Sequence, residues 1–472
     1  MNPGRSLIAI QEKIKSGNFT ISDLVQYYLE RIEGAKHLNA YLEVFADEAI
    51  TKAKILDKKL KNQPDQCGKL IGAVISIKDV ICYEGHKVSA SSKILNGFES
   101  LYSATAVQRL LDEDVIIIGR TNCDEFAMGS GNENSAYGPV INGVGENRVP
   151  GGSSGGAAVS VQMDTCLAAL GSETGGSIRQ PAAFTGIYGL KPSYGRVSRY
   201  GLIAYGSSFD QIGVFSHDVK TMASLLEIIA GNDPMDATSS TTPAGKYDFA
   251  DNRGPQKIAY IDDVLNHPSI SPNVKSATLK TIADLESRGH ELVPVNFDFL
   301  DHVVATYYIL TTAEASSNLG RYDGIRYGHR SKEAKDIYEL FIKSRSEGFG
   351  DEVKRRIMMG AFVLSVGYYD AYFTKAQKVR RLIKEELENI FSTFALILMP
   401  TTPDVAWKLN DKSADPLKEY LADIYTVIAN LAGIPALSFP VSQSDNGMPI
   451  GMQLMAPQFK ERDLLNFVET LH

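Results

Sequence analysis

Three features are scarce in this 472-residue sequence: cysteine, paired histidine and an excess of basic charge. The eight histidines form no H-E-x-x-H pair, and the net charge is −8, whereas a protein that holds nucleic acid by its own electrostatics is normally basic. We therefore expect a partner to hold any RNA that this protein's function involves. The cysteines lack C-x-x-C spacing, which predicts reduced thiols rather than disulfides or a zinc site; they are Cys67, Cys82, Cys123 and Cys166.

Long apolar runs and targeting segments are also missing. No stretch approaches the roughly 18 consecutive apolar residues of a membrane-spanning helix. Residues 1–11 lack the charged region followed by an apolar region that marks a signal peptide. Apolar residues make up 44% of the chain and charged residues 22%, as in an ordinary globular protein. We therefore expect a cytoplasmic protein that has no contact with a membrane.

Strands and helices alternate along the chain, which predicts an α/β protein with a buried sheet. A first helix is expected from a cap at Thr20, supported by Asp23, to Gly34. We expect one domain over residues 1–472, with 233–254 as a surface excursion. Apolar and β-branched runs predict strands at 71–77, 115–118, 166–170, 257–261, 395–399, 436–439 and 450–455. Helical spacing predicts further helices at 219–229, 274–287 and 361–390.

Two clusters of glycine and serine, residues 150–156 and 171–177, are the most distinctive local feature. Dense glycine permits tight turns and close approach of a ligand, and successive backbone N–H groups in such a turn stabilise an anion. Flexible linkers have a similar composition. The predicted strand at 166–170 runs directly into the second cluster, which favours an ordered site over a linker.

Other glycine-rich motifs fit these clusters less well. Neither cluster ends in the Lys-Ser/Thr pair of a phosphate-binding loop, and neither has the glycine spacing of a dinucleotide-binding fingerprint. Residues 151–155 do match the G-x-S-x-G pattern of a hydrolase nucleophile elbow. That elbow requires a preceding strand, and residues 147–150 are a poor strand. The elbow therefore stays a minor alternative.

Lys78 is unusual because it ends an apolar predicted strand. One interpretation is that its side chain extends from the strand end to water. The other is that it is buried, and burial would lower its pKa and allow the amine to act as a base near neutral pH. A neutral Lys78 could then accept a proton through Ser153 from Ser177, which would form a nucleophile and base without histidine.

The stretch from 151 to 198, GGSSGGAAVSVQMDTCLAALGSETGGSIRQPAAFTGIYGLKPSYGRVS, resembles the amidase signature family. The resemblance implies that Ser177 is the nucleophile and that Ser153, which follows a cis peptide bond in the family, transfers the proton. It also implies that Lys78 is the base and later the acid. Near this lysine the family usually has Pro and Asn in the pattern GIPxxIKDN, where this chain has Val74 and Val80.

The resemblance also implies a fold and further site residues. The family's fold is a large mixed β-sheet covered on both faces by α-helices. Its oxyanion hole would be formed here by the backbone N–H groups of Thr174, Gly175 and Gly176, together with that of Ser177. The residues just beyond, 179–180, are expected to orient this loop.

Stretches outside the catalytic core resemble the glutamine-hydrolysing subunits of tRNA-dependent amidotransferases; they are 314–328, 354–360, 367–380 and 423–440. The resemblance implies that glutamine is hydrolysed and that its ammonia converts Glu-tRNA(Gln) to Gln-tRNA(Gln). It implies a heterotrimer with the B and C subunits of that enzyme, in which the B subunit contacts most of the tRNA. ATP and Mg²⁺ are expected in the B subunit, and no cofactor or metal in this chain. A stand-alone amidase acting on small amides, or a catalytically inactive scaffold, are the alternatives.

Free glutamine must also be recognised at its amino-acid head, which needs a cation for the α-carboxylate and an anion for the α-ammonium. By resemblance, Arg356 and Asp423 are the expected pair. The alternative is that Arg356 is one of three adjacent basic residues on a solvated helix and that Asp423 is exposed. Arg355, the residue before Arg356 in the chain, is the other candidate cation.

Overall fold

A single eleven-stranded sheet organises the computed structural model, which describes residues 1–247, 249, 254–411 and 420–471. The strands are β1 Tyr41–Val44, β2 Val74–Lys78, β3 Ile116–Thr121, β4 Ala168–Glu173, β5 Tyr188–Lys191, β6 Gln211–Ser216, β7 Lys257–Ile261, β8 Glu291–Val295, β9 Leu396–Pro400, β10 Ala436–Gln443 and β11 Pro449–Met455. Their order across the sheet is β1-β3-β2-β4-β6-β5-β10-β11-β9-β7-β8.

Fifteen α-helices connect and cover the strands in the described part of the chain. They are α1 Leu7–Lys15, α2 Ile21–Gly34, α3 Ala46–Asn62, α4 Thr105–Asp112, α5 Gly155–Gln162, α6 Arg179–Thr185, α7 Val219–Ile229, α8 Asp262–Asn266, α9 Pro272–Ser287, α10 Leu300–Asn318, α11 Ile337–Gly348, α12 Asp351–Val363, α13 Lys375–Phe391, α14 Val427–Ala432 and α15 Glu461–Glu469. Within the described residues, no helix combines the length and apolarity needed to cross a membrane.

The sheet is mixed, and its parallel part positions the site. β2 pairs in parallel with β3 on one side and with β4 on the other, while β4 is antiparallel to β6. Lys78, the last residue of β2, lies opposite Thr121 at the end of β3. Because parallel strands end at the same edge, the segments that follow β2, β3 and β4 meet there.

Helices cover both faces of the sheet, as two successive residues of β11 demonstrate. A Cβ added to Gly451 would lie 2.7 Å from the Cβ of Ala183, so α6 packs on that face. The next residue, Met452, accepts a hydrogen bond from Thr278 of α9 at its sulfur, at 3.5 Å. Successive residues of a strand point to opposite faces, so α6 and α9 lie on opposite sides of the sheet.

Several predicted elements are confirmed. Thr20 and Asp23 form a reciprocal capping box at the start of α2, and that helix ends at Gly34. The helix predicted at 219–229 has those bounds. The predicted strands are all present; the one at 257–261 has those bounds and the others have shifted ends, whereas β1, β5, β6 and β8 were not predicted. Of the predicted excursion at 233–254, residues 248 and 250–253 lie outside the described residues.

The long helix predicted at 361–390 is wrong, because it is broken into separate elements. α12 ends at Val363, a short π-helix spans Asp370–Thr374, and α13 begins at Lys375. Gly367 lies in the break with φ of +90°, a left-handed conformation that no residue of a right-handed helix can adopt.

The close approach of α6 to β11 predicts the effect of adding a single methyl group. Gly451→Ala should reduce the free energy of unfolding by about 1–3 kcal/mol, because its Cβ would overlap Ala183. Gly34→Ala is the matched control, since a Cβ there meets nothing within 4 Å and should leave stability unchanged or raise it by up to about 1 kcal/mol. Thermal and denaturant unfolding measure both. Equal stability of the two variants would contradict the packing of α6 on β11.

Candidate active site

β2 brings Lys78 into the interior at the carboxyl end of the parallel strands, where its side chain is fully buried. Its Nζ donates hydrogen bonds to the hydroxyls of Ser153 at 2.7 Å, Ser154 at 2.8 Å and Ser172 at 2.9 Å. A lysine ammonium has three donors, so these hydroxyls match its full hydrogen-bonding capacity. The amine is thus solvated by serine side chains in place of water.

The pKa of Lys78 is lowered to about 8, first of all because burial disfavours the ammonium. Nearby carboxyl groups act in the opposite direction, among them those of Asp124 and Asp210. With such a pKa, about one amine in ten is neutral at pH 7. The burial predicted for Lys78 is confirmed, but the neutral amine, which was also predicted for the resting protein, is the minor form at pH 7.

Ser153 lies in the first glycine and serine cluster, just before α5. The peptide bond between Gly152 and Ser153 is cis, and Ser153 is fully buried. A Cβ at Gly152 would lie 2.1 Å from a carboxylate oxygen of Asp124 and 2.8 Å from the backbone nitrogen of Asn132. Only glycine therefore lets this loop lie against its neighbours.

Asp124, after the end of β3, fixes the backbone of that loop. Its own N–H donates to the carbonyl oxygen of Ser153 at 3.1 Å. Its carboxylate accepts from the N–H groups of Asn132 at 2.8 Å and Asn134 at 3.0 Å. Burial raises the pKa of Asp124 to about 7 despite these hydrogen bonds. This residue therefore connects the strand beside Lys78 to the loop that carries Ser153.

Ser177 lies in a short loop between β4 and α6 that an internal ion pair closes. Glu173 ends β4 and pairs with Arg179, the first residue of α6, and both side chains are fully buried. The N–H groups of Ile178 and Arg179 also donate to Glu173, at 3.0 and 3.1 Å. Ser177 itself is 8% exposed, whereas Ser153 is 0% exposed, so Ser177 is the serine that a substrate can reach.

The Ser177 loop is joined to its surroundings on three sides. Thr174 donates its hydroxyl to Asp210 at 2.7 Å, and the carbonyl oxygen of Gly175 accepts from the hydroxyl of Thr426 at 2.7 Å. The N–H of Ser154 donates to the carbonyl oxygen of Ser177 at 3.3 Å. This last bond brings the two glycine and serine clusters together around Lys78.

The backbone N–H groups of residues 175–177 are available to an incoming ligand. In the described part of the chain, none of the hydrogen bonds uses them as donors. Gly176 has φ of +141°, and a Cβ there would lie 2.3 Å from the hydroxyl oxygen of Thr426. A glycine is therefore required for the turn that presents these donors.

The geometry decides between the alternatives that the sequence left open. Both clusters are buried, which excludes a flexible linker. Lys78 does not extend to water. The G-x-S-x-G match at 151–155 follows residues that form no strand, and its central serine receives a hydrogen bond from lysine. The hydrolase elbow is therefore not present.

Arg356 and Asp423 lie close together at one side of the Ser177 loop, and both are buried. The guanidinium of Arg356 lies over the rings of Tyr205 and Tyr308, with its carbon 5.5 and 5.2 Å from their centroids. The hydroxyl of Tyr308 donates to Asp423 at 3.1 Å, and that of Ser130 does so at 3.0 Å. Tyr308 therefore contacts both members of the predicted pair.

Asp423 is also connected to the catalytic loops. Gln180 donates to Asp423 at 3.5 Å and accepts from the N–H of Gly152 at 3.0 Å. Three residues after Asp423, Thr426 contacts the Ser177 loop. Burial raises the pKa of Asp423 to about 7, opposed by its hydroxyl donors and by the charge of Arg356. A bound cation would favour the ionised carboxylate.

The exposed-helix alternative is wrong for both residues. Arg356 is on the buried side of α12, where its ion-pair partner is Glu352 at 2.8 Å. Arg355 pairs with the other oxygen of Glu352, and its side chain is 50% exposed. Of the two adjacent arginines, only Arg356 contacts Tyr308, the ring that also binds Asp423.

Several residues of the site were not predicted from the sequence. Asp124 follows β3, which is the neighbour of β2 in the sheet. The order of the strands would therefore have indicated that Asp124 lies near the end of β2. Ser154 and Ser172 contact the Lys78 amine and belong to the predicted clusters, but their roles were not assigned. Tyr308 carries no local signal, because it is far from Asp423 in sequence.

Metal-ligating side chains do not gather in the described residues, where no group of three or more His, Cys, Asp or Glu is arranged to hold an ion. The four cysteines are free thiols.

Comparisons with known proteins agree with this geometry. A sequence profile of the family described as Amidase matches residues 23–465. A relative from Koribacter versatilis, named as the A subunit of glutamyl-tRNA(Gln) amidotransferase, is 48% identical over 97% of this chain and 95% of its own. A crystal structure of the protein of that name from Thermotoga maritima is 38% identical, with a TM-score of 0.77 over 94% of this chain and 90% of its own.

A peptide amidase from Stenotrophomonas maltophilia also shares the fold, with 27% identity and a TM-score of 0.82 over 98% of this chain and 95% of its own. The similarity to all three proteins extends over nearly the whole chain. The profile match covers most of the described structure, including both glycine and serine clusters. The chain therefore belongs to the amidase family.

Proposed function

We propose that this chain is the glutamine-hydrolysing subunit of a glutamyl-tRNA(Gln) amidotransferase. The reaction at its own site is glutamine plus water to glutamate plus ammonia. The ammonia then converts Glu-tRNA(Gln) to Gln-tRNA(Gln) in an ATP-dependent complex. The near-full-length similarity to proteins named as the A subunit of that enzyme supports this assignment over the other activities of the family.

One observation carries the proposal. The buried amine of Lys78 contacts the hydroxyl of Ser153 where two loops meet. The second of these loops holds Ser177 and contacts the segment that carries Asp423, which lies beside Arg356. A base, a nucleophile and a pair of opposite charges are thereby held in one connected site. That combination suits an amide whose other end is a free amino acid.

In the first half of the reaction, Ser177 Oγ attacks the carboxamide carbon of glutamine. Its proton passes to Ser153, which gives its own proton to the neutral form of Lys78. The bond between carbon and nitrogen then breaks, and the proton returns from Lys78 through Ser153 to the leaving nitrogen. Ammonia departs and a γ-glutamyl ester remains on Ser177.

In the second half, water replaces ammonia as the reacting group. Its proton passes to Lys78 by the same route, its oxygen attacks the ester carbon, and the proton then returns to Ser177 Oγ as glutamate leaves. Both tetrahedral intermediates carry a negative oxygen, and the N–H groups of residues 174–177 are the proposed donors to it. The first half therefore ends with Lys78 and Ser153 restored and Ser177 acylated, and the second half restores Ser177 as well.

Recognition of glutamine is proposed to use the pair of opposite charges beside the loop. The fork of Arg356 can bind the α-carboxylate at two points, and Asp423 can accept from the α-ammonium. Tyr308 holds both side chains in place. A substrate without this amino-acid head would forgo both charged contacts, which accounts for selection of free glutamine.

The relatives of this chain are subunits of an assembly, so we propose partner chains as well. The B subunit is proposed to bind ATP and Mg²⁺ and to make most contacts with tRNA, and the C subunit to complete a heterotrimer. This chain is then one catalytic domain in the cytoplasm, without its own cofactor or metal. A stand-alone amidase is the second candidate, because the fold of a peptide amidase matches over nearly the whole chain.

Ser177→Ala is expected to abolish glutaminase activity while the complex still makes Gln-tRNA(Gln) from added ammonia. Ammonia replaces only the product of the Ser177 step. The measurement compares both activities in the complex of this chain with its partner subunits, and the exposed Ser287→Ala is the control. Loss of ammonia-driven synthesis in a correctly assembled Ser177→Ala complex would exclude this division of labour, and glutaminase without any response to partners and ATP would favour the stand-alone amidase.

Glutaminase turnover should rise with pH through an apparent pKa near 8, since only the neutral form of Lys78 accepts a proton. Below that pH the rate should fall about tenfold per unit. The profile is measured on kcat, because bound substrate keeps Asp423 ionised and removes its titration. Lys78→Ala should reduce kcat by about 10² or more. A kcat that is flat from pH 6 to 9 would argue against Lys78 as the base.

Arg356→Ala should raise the KM for glutamine by a factor that corresponds to about 2–5 kcal/mol, roughly 30-fold to several thousand-fold. The reason is that the α-carboxylate loses its cation, whereas ammonia-driven synthesis needs no such contact. Arg355→Ala is a matched control, because that neighbouring arginine is half exposed and pairs with the other oxygen of Glu352. Equal KM values in the Arg356→Ala and Arg355→Ala variants would contradict the proposal that Arg356 binds the α-carboxylate.

A further inference from the structure

A buried carboxylate that the reaction does not use holds the helix that carries Arg356. Glu125 is 2% exposed, and it follows Asp124 directly in the chain. One of its carboxylate oxygens accepts from the N–H of Gly350 at 2.8 Å. Gly350 is the cap residue of α12 and offers no side chain of its own to that helix end.

The same carboxylate is fixed from the other side. Ser92 donates its hydroxyl to the second oxygen of Glu125, and its oxygen lies 3.2 Å from the carbonyl oxygen of Gly348. Glu125 thus holds the backbone after Phe349 through Gly350, and Ser92 fixes Glu125 while contacting the backbone before Phe349. The ring of Phe349 packs edge-on against Phe126, the residue after Glu125, with 5.6 Å between centroids.

The contact between Glu125 and Gly350 leaves no room for a side chain on Gly350. A Cβ on Gly350 would lie 2.4 Å from the carboxylate oxygen of Glu125. The carboxylate therefore fills the position that a side chain of the cap residue would occupy. Burial raises the pKa of Glu125 to about 7, and its ionised form also interacts favourably with the amino end of the α12 dipole.

Adjacency in the chain connects this contact to the catalytic loop. Asp124 fixes the backbone of Ser153, and Glu125 fixes the start of α12, with only one peptide unit between their Cα atoms. Arg356 lies in the second turn of that helix. The distance between the loop of Ser153 and the side chain of Arg356 therefore depends on this pair of residues.

We propose that Glu125 is a positioning residue that sets the place of Arg356 and so determines the affinity of the site for glutamine. This inference rests on the proposed function, in which Arg356 binds the α-carboxylate. Glu125 does not touch the substrate. Its effect arises because a cation displaced by a fraction of an ångström loses its two-point contact with a carboxylate.

Glu125→Ala is expected to raise the KM for glutamine about tenfold or more while kcat and ammonia-driven synthesis stay within a few-fold of the original. Glu125→Gln should restore a nearly normal KM, since its carbonyl can accept from Gly350 and its amide can donate to Ser92. Asp336→Ala is the control, because it removes a carboxylate that caps the neighbouring helix α11, where Asp336 is itself the cap residue and accepts from the N–H of Glu339.

Gly350→Ala tests the same contact from the other partner and does not remove a buried carboxylate. The added methyl group meets the flexible end of Glu125 at 2.4 Å, so the protein should fold and show the same rise in KM. The double variant Glu125→Ala/Arg356→Ala should have the KM of Arg356→Ala alone, because the two changes act through one contact.

The outcomes separate this inference from the proposed function. A normal KM in Glu125→Ala and Gly350→Ala, with a raised KM in Arg356→Ala, overturns the role of Glu125 and leaves glutamine binding by Arg356 intact. Additive effects in the double variant also overturn it. An unchanged KM in Arg356→Ala overturns the recognition of glutamine by this arginine, and the inference with it.

Discussion

The ion pair between Glu173 and Arg179 holds the active-site loops in their relative positions. It closes the loop of Ser177 from inside, since Glu173 also accepts from two backbone N–H groups of that loop. Arg179 then extends outward to the carbonyl oxygen of Thr426 at 2.7 Å and to the side chain of Asn430 at 2.7 Å. Burial alone would raise the pKa of Glu173, but the charge and hydrogen bonds of Arg179 lower it overall. Breaking such a buried pair typically costs about 3–5 kcal/mol, so the loop has little freedom.

This pair also explains why catalysis and recognition can share one framework. The segment that Arg179 contacts, 423–430, carries Asp423, and Thr426 contacts the carbonyl oxygen of Gly175. A shift of the Ser177 loop would therefore also move the carboxylate of Asp423. Rigid placement of donors and charges before the substrate arrives is the main source of transition-state stabilisation in such sites.

Lys78 imposes a second constraint, because a buried amine must remain solvated in the protein interior. Three serine hydroxyls replace its water shell, and each can either accept or donate a hydrogen bond. A carboxylate in direct contact would have raised the pKa of the amine and kept it protonated, so that it could not accept a proton near neutral pH. The nearby carboxyl groups act at longer range, so they offset burial only in part and leave the pKa at about 8. The serines thus allow the amine to change its charge during the reaction.

The sequence by itself determined the α/β class, most strands, the two glycine and serine clusters and the catalytic candidates. Each of these depends on the type and spacing of residues that are close together in the chain. Lys78 at the end of an apolar run is one such pattern, and the glycines of 171–177 are another. The sequence did not determine the break near Gly367, since helical spacing on both sides hid a backbone turn. Only tertiary structure decided that Arg356 is buried while Arg355 is exposed, because burial depends on what packs against α12. The same holds for Tyr308 and Glu125, whose partners are distant in sequence and are brought together by the packing of helices and loops around the sheet.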